Sequence, residues 1–349
     1  MVVGSTGTRN QGGLRVALAL WAALTLACGQ ARLPVRQQPP GDNFLIIGHR
    51  GAPHQACENT LASFEAALQL GANALELDVS MTSDEQVVLW HDWEPGAKSE
   101  LRPTGVCRLR RPPRVLPVHA VPLHELLRDY GYEHAGQHVS LLTFTEFVQR
   151  LSQDDRVRLF FLDVKIPEDR PDFVPSFFQH AVQTLQNYQA LDKAVFLTPY
   201  ETILRQLRHE AQRWHRTTRT RVDIAFDTEG PPLIQLSAWP SAVHRAEKVG
   251  ARFALWGEPV VTVQSWQDFL VAELRRRDVI NATRPPRARL RFIIWTINDG
   301  SDLCALVGAG VDGIMTDDPE RLRVIVQNWG QPGICPSLRS ETAGLSGGD

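Results

Sequence analysis

The chain has 349 residues, 43% of them hydrophobic and 22% charged, the balance of a folded globular protein rather than a disordered one. Its 37 Lys and Arg against 39 Asp and Glu give a formal net charge of −2, which excludes a global positive field of the kind that holds nucleic acid. The length admits two domains or one large barrel, since α/β barrels run to roughly 250 residues as a single unit.

At the N-terminus, residues 1–13 are polar and Gly-rich, and Arg15 precedes an apolar run over 16–27. That run is shorter than the roughly 20 apolar residues a membrane-spanning helix needs, and suits a signal-peptide core. It ends in Leu24-Thr25-Leu26-Ala27-Cys28, which resembles a bacterial lipobox except that Thr25 stands where such motifs carry Leu. The same residues suit an ordinary signal peptidase. The expectation is export over a signal of residues 1–28. The protein is then periplasmic or membrane-anchored as a lipoprotein through Cys28, and otherwise secreted. In an oxidising compartment Cys57, Cys107, Cys304 and Cys335 can form disulfides, with all three complete pairings open. No Cys/His zinc spacing is present. Residues 29–43, with Pro34, Pro39, Pro40 and Gly41, read as a tether, and residues 330–349 as a disordered tail. The folded part is expected over 44–329.

Within it, Leu45-Ile46-Ile47 reads as a buried strand. A helix over 60–70 follows, with Leu61, Phe64, Ala67 and Leu68 on one face, Asn59-Thr60 as its cap and Gly71 as its stop. Residues 74–79 form a second strand and 87–90 a third. The segment 93–140 shows no clean period and reads as an insertion after strand three. Further strands are expected over 157–164, 194–197, 222–226, 292–296 and 311–315. Helices are expected over 172–188, 201–215 and 301–307, with Pro319 opening the last one. Residues 253–256 make a ninth strand-like run, so one of the nine is short or extra. Strands alternating with helices imply a parallel sheet, and at this length a TIM (β/α)8 barrel. Arginine clusters over 102–114 and 275–291 read as solvated loops.

Four apolar strands run into ionisable residues. Leu45-Ile46-Ile47 leads to His49 and Arg50, Ala74-Leu75 to Glu76 and Asp78, Val87-Val88-Leu89-Trp90 to His91, and Phe160-Phe161-Leu162 to Asp163 and Lys165. In a parallel barrel all strand C-termini point to one mouth, so these groups should converge. Glu76 and Asp78 share a strand face. With Asp163 they make an oxygen-only set that suits Ca2+ or Mg2+, with Mn2+ a further choice. Arg50 and Lys165 offer positive charge to a phosphate. His49 and His91 carry imidazoles, a group able to titrate near neutral pH, and can divide general acid and base roles, in an order the residues leave open. Metal, cations and an acid/base pair together describe phosphodiester cleavage.

The run His49-Arg50-Gly51-Ala52, Glu58-Asn59-Thr60, Phe64, Gly71-Ala72, Glu76-Leu77-Asp78-Val79 and His91-Asp92 resembles the N-terminal half of the glycerophosphodiester phosphodiesterase domain. Trp295-Thr296-Ile297-Asn298 and Gly310-Val311-Asp312-Gly313-Ile314-Met315-Thr316-Asp317-Asp318-Pro319 resemble its last two strands. The resemblance implies a divalent metal on Glu76, Asp78 and Asp163, catalysis by His49 and His91, phosphate contacts from Arg50 and Lys165, and a substrate pocket lined by Trp295. Asp163 departs from the Glu of many members, and the stretch after Asp92 is longer and richer in Arg and Pro. The implied reaction converts a small-molecule glycerophosphodiester to sn-glycerol 3-phosphate and an alcohol. A phospholipase D-like enzyme acting on lysolipids or sphingolipids, or a non-catalytic phosphodiester-binding protein, are the alternatives.

Overall fold

The computed structural model describes residues 35–91, 105–110, 116–228, 241–257 and 263–335. The expected signal, Cys28 and Asp92 lie outside these residues. No helix among the described residues is long and apolar enough to cross a membrane.

Eight parallel strands close into a barrel. They are β1 (Leu45–Gly48), β2 (Ala74–Met81), β7 (Leu159–Val164), β8 (Ala194–Thr198), β9 (Asp223–Thr228), β10 (Phe253–Gly257), β11 (Arg291–Trp295) and β12 (Gly313–Thr316). Closure comes from β1, which pairs with β12 through Leu45 to Gly313 and with β2 through Ile47 to Ala74. The surplus ninth run is resolved at β3 (Val87–Leu89). It is antiparallel to β2, with Val79 opposite Leu89, and lies outside the barrel. Residues 253–256, by contrast, are a barrel strand.

Helices pack outside: α1 (Leu61–Gln69), α3 (Phe144–Leu151), α4 (Val174–Asn187), α5 (Glu201–Thr218), α6 (Ala242–Lys248), α7 (Val263–Ala282), α8 (Gly300–Ala309) and α9 (Pro319–Gln327). Thr60 caps α1 through its side chain, and Pro319 opens α9, as their positions in the sequence predict. The insertion beyond β3 folds as α2 (Leu123–Asp129) and a small antiparallel sheet of β4 (Arg108–Leu109), β5 (Tyr132–His134) and β6 (Gln137–Val139). It has its own apolar cluster, including Val88, Trp90, Val118, Leu126 and Tyr132.

Two alternating faces organise the strands. Leu45, Ile47, Ala74, Phe161, Val195, Leu197, Ala225, Phe253, Leu255, Ile293 and Met315 fill the barrel interior. Their neighbours in sequence face the helices. Continuing the inward parity toward the strand C-termini reaches 49, 76, 78, 163, 165, 227, 295 and 317, all of them polar or aromatic.

Two disulfides pin the periphery. Cys57–Cys107 ties the insertion to the loop between β1 and α1, and Cys304–Cys335 ties the chain beyond α9 to α8. Residues 35–43, expected as a tether, touch the barrel: Arg36 N–H donates to Gly308 and the Trp329 indole to the Arg36 carbonyl.

Phe160 is fully buried between the barrel and α3 and meets Phe147 edge to face at 5.0 Å. Phe160→Ala should lower stability by about 3–5 kcal/mol, measured by equilibrium urea unfolding. A change below about 1 kcal/mol would mean that this layer is not tightly packed.

Candidate active site

The mouth is built from strand ends. Parallel pairing sets Asp78 directly beside Asp163 and Glu76 beside Phe161. Both Glu76 and Asp78 point inward, two residues apart on β2. One carboxylate oxygen from each of Glu76, Asp78 and Asp163 lies within 4.8 Å of the others. Glu76 and Asp78 are buried and Asp163 is half-buried.

Two cations brace this cluster. Arg50 Nε lies 3.0 Å from Asp78 Oδ2, and its Nη1 reaches both Glu58 oxygens at 3.2 Å. The Arg50 backbone N–H donates to Glu76 Oε2 at 2.9 Å. Lys165 Nζ lies 2.5 Å from Asp163 Oδ2 and 3.1 Å from Asp78 Oδ1. Burial alone would lower the pKa of both cations, but the adjoining carboxylates outweigh it and hold them charged.

The carboxylates are treated unequally. Burial disfavours the charge on Asp78, yet Arg50, Lys165, His91 and the amide of Asn59 together hold it well below the usual carboxylate range. Burial pushes the Glu76 carboxyl well above its ordinary value, and Asp78 and Asp163 push it further than Arg50 and Lys165 pull it back. The reason is a charge deficit. Fully ionised, four carboxylates (Glu58, Glu76, Asp78 and Asp163) would face two permanent cations, leaving two negative charges uncompensated. Asp163 Oδ1 is in addition buried without a hydrogen bond. An oxygen-only donor set, an unused buried oxygen and a deficit of two charges fit one hard divalent cation.

The two histidines reach the mouth by different routes. His49 continues the β1 ladder, its N–H donating to Thr316. Its Nδ1 lies 2.7 Å from Asp317 Oδ1. Burial opposes the charge on Asp317, but the hydrogen bond and charge of His49 and a bond from Asn298 lower its pKa. An ionised carboxylate only accepts, so Nδ1 carries the proton and Nε2 is left for other chemistry. His91 comes back on the hairpin. The strand β2 overshoots the barrel, turns at Thr82–Gln86, and β3 returns so that Trp90 N–H donates to the Asp78 carbonyl. His91 thereby sits close enough to Asp78 to favour its charge.

All eight expected site residues therefore gather at one end of the barrel. Trp295 faces inward there, its indole N–H donating to Asp227 Oδ1 at 2.5 Å. Residues outside that set of eight join them. Asn59 was expected to help cap α1; instead it clasps Asp78, donating from Nδ2 to Oδ2 at 2.7 Å and accepting from the Asp78 N–H at 3.1 Å. Glu58 grips Arg50. Asn298 holds Asp317 from Nδ2 at 2.6 Å while its Oδ1 accepts from the Asp317 N–H at 2.9 Å. Inward parity on β9 and β12 was the signal available for Asp227 and Asp317. Asn59 gave none, because its contact depends on a left-handed backbone, φ 55°. Arg50 shares that conformation at φ 53°, followed by Gly51 at φ 92°. A Cβ on Gly51 would come within 2.5 Å of the Ser63 backbone, so glycine is required for the loop to lie flat on α1.

Comparison with known proteins follows the same geometry. The model of the Glycerophosphoryl diester phosphodiesterase family matches residues 49–321. A glycerophosphodiester phosphodiesterase of Caldanaerobacter subterraneus subsp. tengcongensis is 23% identical over 291 residues, covering 82% of this chain and 99% of that protein. A glycerophosphodiester phosphodiesterase structure from Parabacteroides distasonis superposes with a TM-score of 0.59 at 17% identity, over 83% of this chain and 99% of the other. A phosphodiesterase from Oleispira antarctica, in complex with the product sn-glycerol-3-phosphate, gives 0.55 at 21% identity, over 80% and 96%.

The raised Glu76 pKa has a sign that can be tested without substrate. Its protonated form is favoured by folding, so its contribution is full below the ordinary value of 4.5 and is lost as pH rises through the raised one. In EDTA the melting temperature should fall as pH climbs above 4.5, and Glu76→Gln should flatten that fall. A divalent cation should flatten it too, by giving the ionised form a partner. Identical slopes for wild type and Glu76→Gln would refute the charge deficit.

Proposed function

This chain belongs to the glycerophosphoryl diester phosphodiesterase family and is an enzyme of that class, acting on glycerophosphodiesters; we propose that it cleaves them to sn-glycerol 3-phosphate and an alcohol, with His49 and His91 as base and acid beside a divalent cation on Glu76, Asp78 and Asp163. The reading is supported chiefly by three carboxylates on adjacent strands, within 4.8 Å of each other, flanked by two cations and two histidines. When bound, the divalent cation would supply Lewis-acid polarisation of the phosphoryl group and offset the surplus negative charge.

The protein's own groups carry the proton traffic. His49 has Asp317 hydrogen-bonded to its Nδ1, an arrangement that fixes the ring and leaves Nε2 as the acceptor, so we assign it the base. Its Nε2 takes a proton from water, or from the substrate's glycerol hydroxyl if a cyclic phosphate forms first, in which case water then opens the ring at phosphorus and the glycerol oxygen leaves and regains its proton. The new oxygen–phosphorus bond forms as the bond to the alcohol oxygen breaks, and His91 protonates that oxygen. Arg50 and Lys165 neutralise charge on the phosphate oxygens and keep the carboxylates from repelling it. Trp295, fixed by Asp227, gives the organic part of the substrate an apolar wall.

Export is part of the same proposal. The two disulfides support an oxidising destination, periplasmic, membrane-anchored through Cys28 or secreted.

His49→Ala and His91→Ala should each reduce kcat on glycerophosphocholine by about 10²–10⁴-fold with the fold retained by circular dichroism. Full activity in either variant would overturn the assignment. EDTA should abolish turnover, and Ca2+, Mg2+ or Mn2+ should restore it. Asp317→Asn should remove the acceptor that fixes the His49 tautomer and orientation, lowering kcat on glycerophosphocholine with the fold retained. Wild-type kcat in that variant would remove Asp317 from the assignment.

A further inference from the structure

The opposite end of the barrel carries the opposite charge. A cavity of about 720 Å³ opens there, walled by Arg158, Arg252, Arg277, Arg287, Arg289 and Arg291. The arginines come from separate places in the chain. Arg158 precedes β7, Arg252 precedes β10, Arg291 opens β11, and the rest lie on α7 and the loop after it. The run 275–291, read from the sequence as a solvated loop, is therefore completed by two arginines from far upstream. The floor is Phe253, the lowest inward residue of β10. The guanidinium carbons of Arg252 and Arg291 stand 5.7 and 5.8 Å from its ring centre.

The arginines divide by partner. Arg252 is paired with Asp223, and Arg277 with Asp278 and Asp312. Among the described residues, Arg158, Arg287, Arg289 and Arg291 have no carboxylate in ion-pair range. Arg158 and Arg291 donate to the main-chain carbonyls of Asp42 and Asn43, which positions their forks without neutralising them. Burial lowers the Arg291 pKa, and although Asp312 pulls it up, Arg158 and Arg252 push it down again. Positive charge is thus concentrated here beyond what local carboxylates offset.

We propose that this arginine-walled cavity is a binding site for a phosphate group, separate from the catalytic mouth. A guanidinium fork matches two phosphate oxygens, and four forks without a carboxylate partner exceed what the two oxygens of a carboxylate can use. The ligand chemistry is a phosphate dianion, supplied by free phosphate or by the monoester headgroup of phosphatidic acid. The inference does not depend on the catalytic reading.

Equilibrium dialysis of the full chain against radiolabelled inorganic phosphate tests it. One bound phosphate should persist in Lys165→Gln, which disables the catalytic mouth. Its Kd should rise at least tenfold in Arg158→Gln/Arg287→Gln/Arg289→Gln, three exposed positions, and in Arg291→Gln. Unchanged melting temperatures verify that these variants fold. In a parallel arm, the protein is sedimented with phosphatidylcholine vesicles with and without phosphatidic acid. Capture by phosphatidic acid that the triple variant loses supports the site and assigns a headgroup. Arginine-dependent phosphate binding without vesicle capture supports it and assigns free phosphate. Phosphate binding and vesicle capture that both survive the triple variant overturn the proposal, as does loss of all phosphate binding in Lys165→Gln.

Discussion

Like charges crowded onto two neighbouring strands are the constraint around which the mouth of this barrel is organised. Unit charges about 4 Å apart repel by roughly 4 kcal/mol at the effective dielectric of a protein surface, and more when buried. Glu76, Asp78 and Asp163 meet that condition by register alone, since β2 and β7 pair residue for residue. Arg50 and Lys165 relieve most of it at Asp78, and the residue of the imbalance falls on Glu76. The local backbone answers to the same demand. Arg50 and Asn59 both adopt left-handed conformations, and the Asn59 N–H donates to the Arg50 carbonyl, so one tight loop delivers a guanidinium and an amide to the same carboxylate.

The hairpin β2–β3 solves a different problem. An (β/α)8 barrel delivers groups to its mouth from strand ends, each rising out of the barrel. His91 descends instead, because β3 runs antiparallel to β2 and ends beside Asp78. That return path needs support from outside the barrel. Val88 and Trp90 gain it by packing into the insertion, which the Cys57–Cys107 disulfide fastens to the loop next to Glu58. The insertion is thereby mechanically linked to two parts of the site: the histidine strand and the arginine loop.

Much of this was legible in the residues because barrel physics converts sequence into position. Apolar strands ending in Glu, Asp, His or Lys announce a polar mouth, and period-two alternation says which of these face inward. The parts that could not be read have specific causes. A short strand such as 87–90 has the same composition whether it pairs parallel or antiparallel, so its place outside the barrel was invisible. The helix Ala242–Lys248 is only two turns long and buries just Ala242, Val243 and Ala246, too short a run to show a period. Asn59 looked like a cap because its neighbour Thr60 is one. Asp317 lay in a recognisable motif, but its bond to His49 joins residues 268 apart in sequence, which no local pattern encodes.

The formal charge of −2 conceals a dipolar arrangement. Among the described residues, Glu58, Glu76, Asp78 and Asp163 outnumber Arg50 and Lys165 at the mouth, and six arginines outnumber Asp223, Asp278 and Asp312 at the opposite cavity. Between them lies a packed apolar layer that includes Phe161, Val195, Leu255 and Ile293, all fully or almost fully buried. With such a layer in place, the surplus at one end is not neutralised by direct contact with the other. Each end must be balanced locally, by counterions from solvent or by a ligand of opposite sign. A near-zero total excludes a global field for nucleic acid, but it is silent about two compact sites of opposite polarity on one axis. The same strand direction that makes one mouth suit a cation therefore leaves the other free to evolve as an anion site.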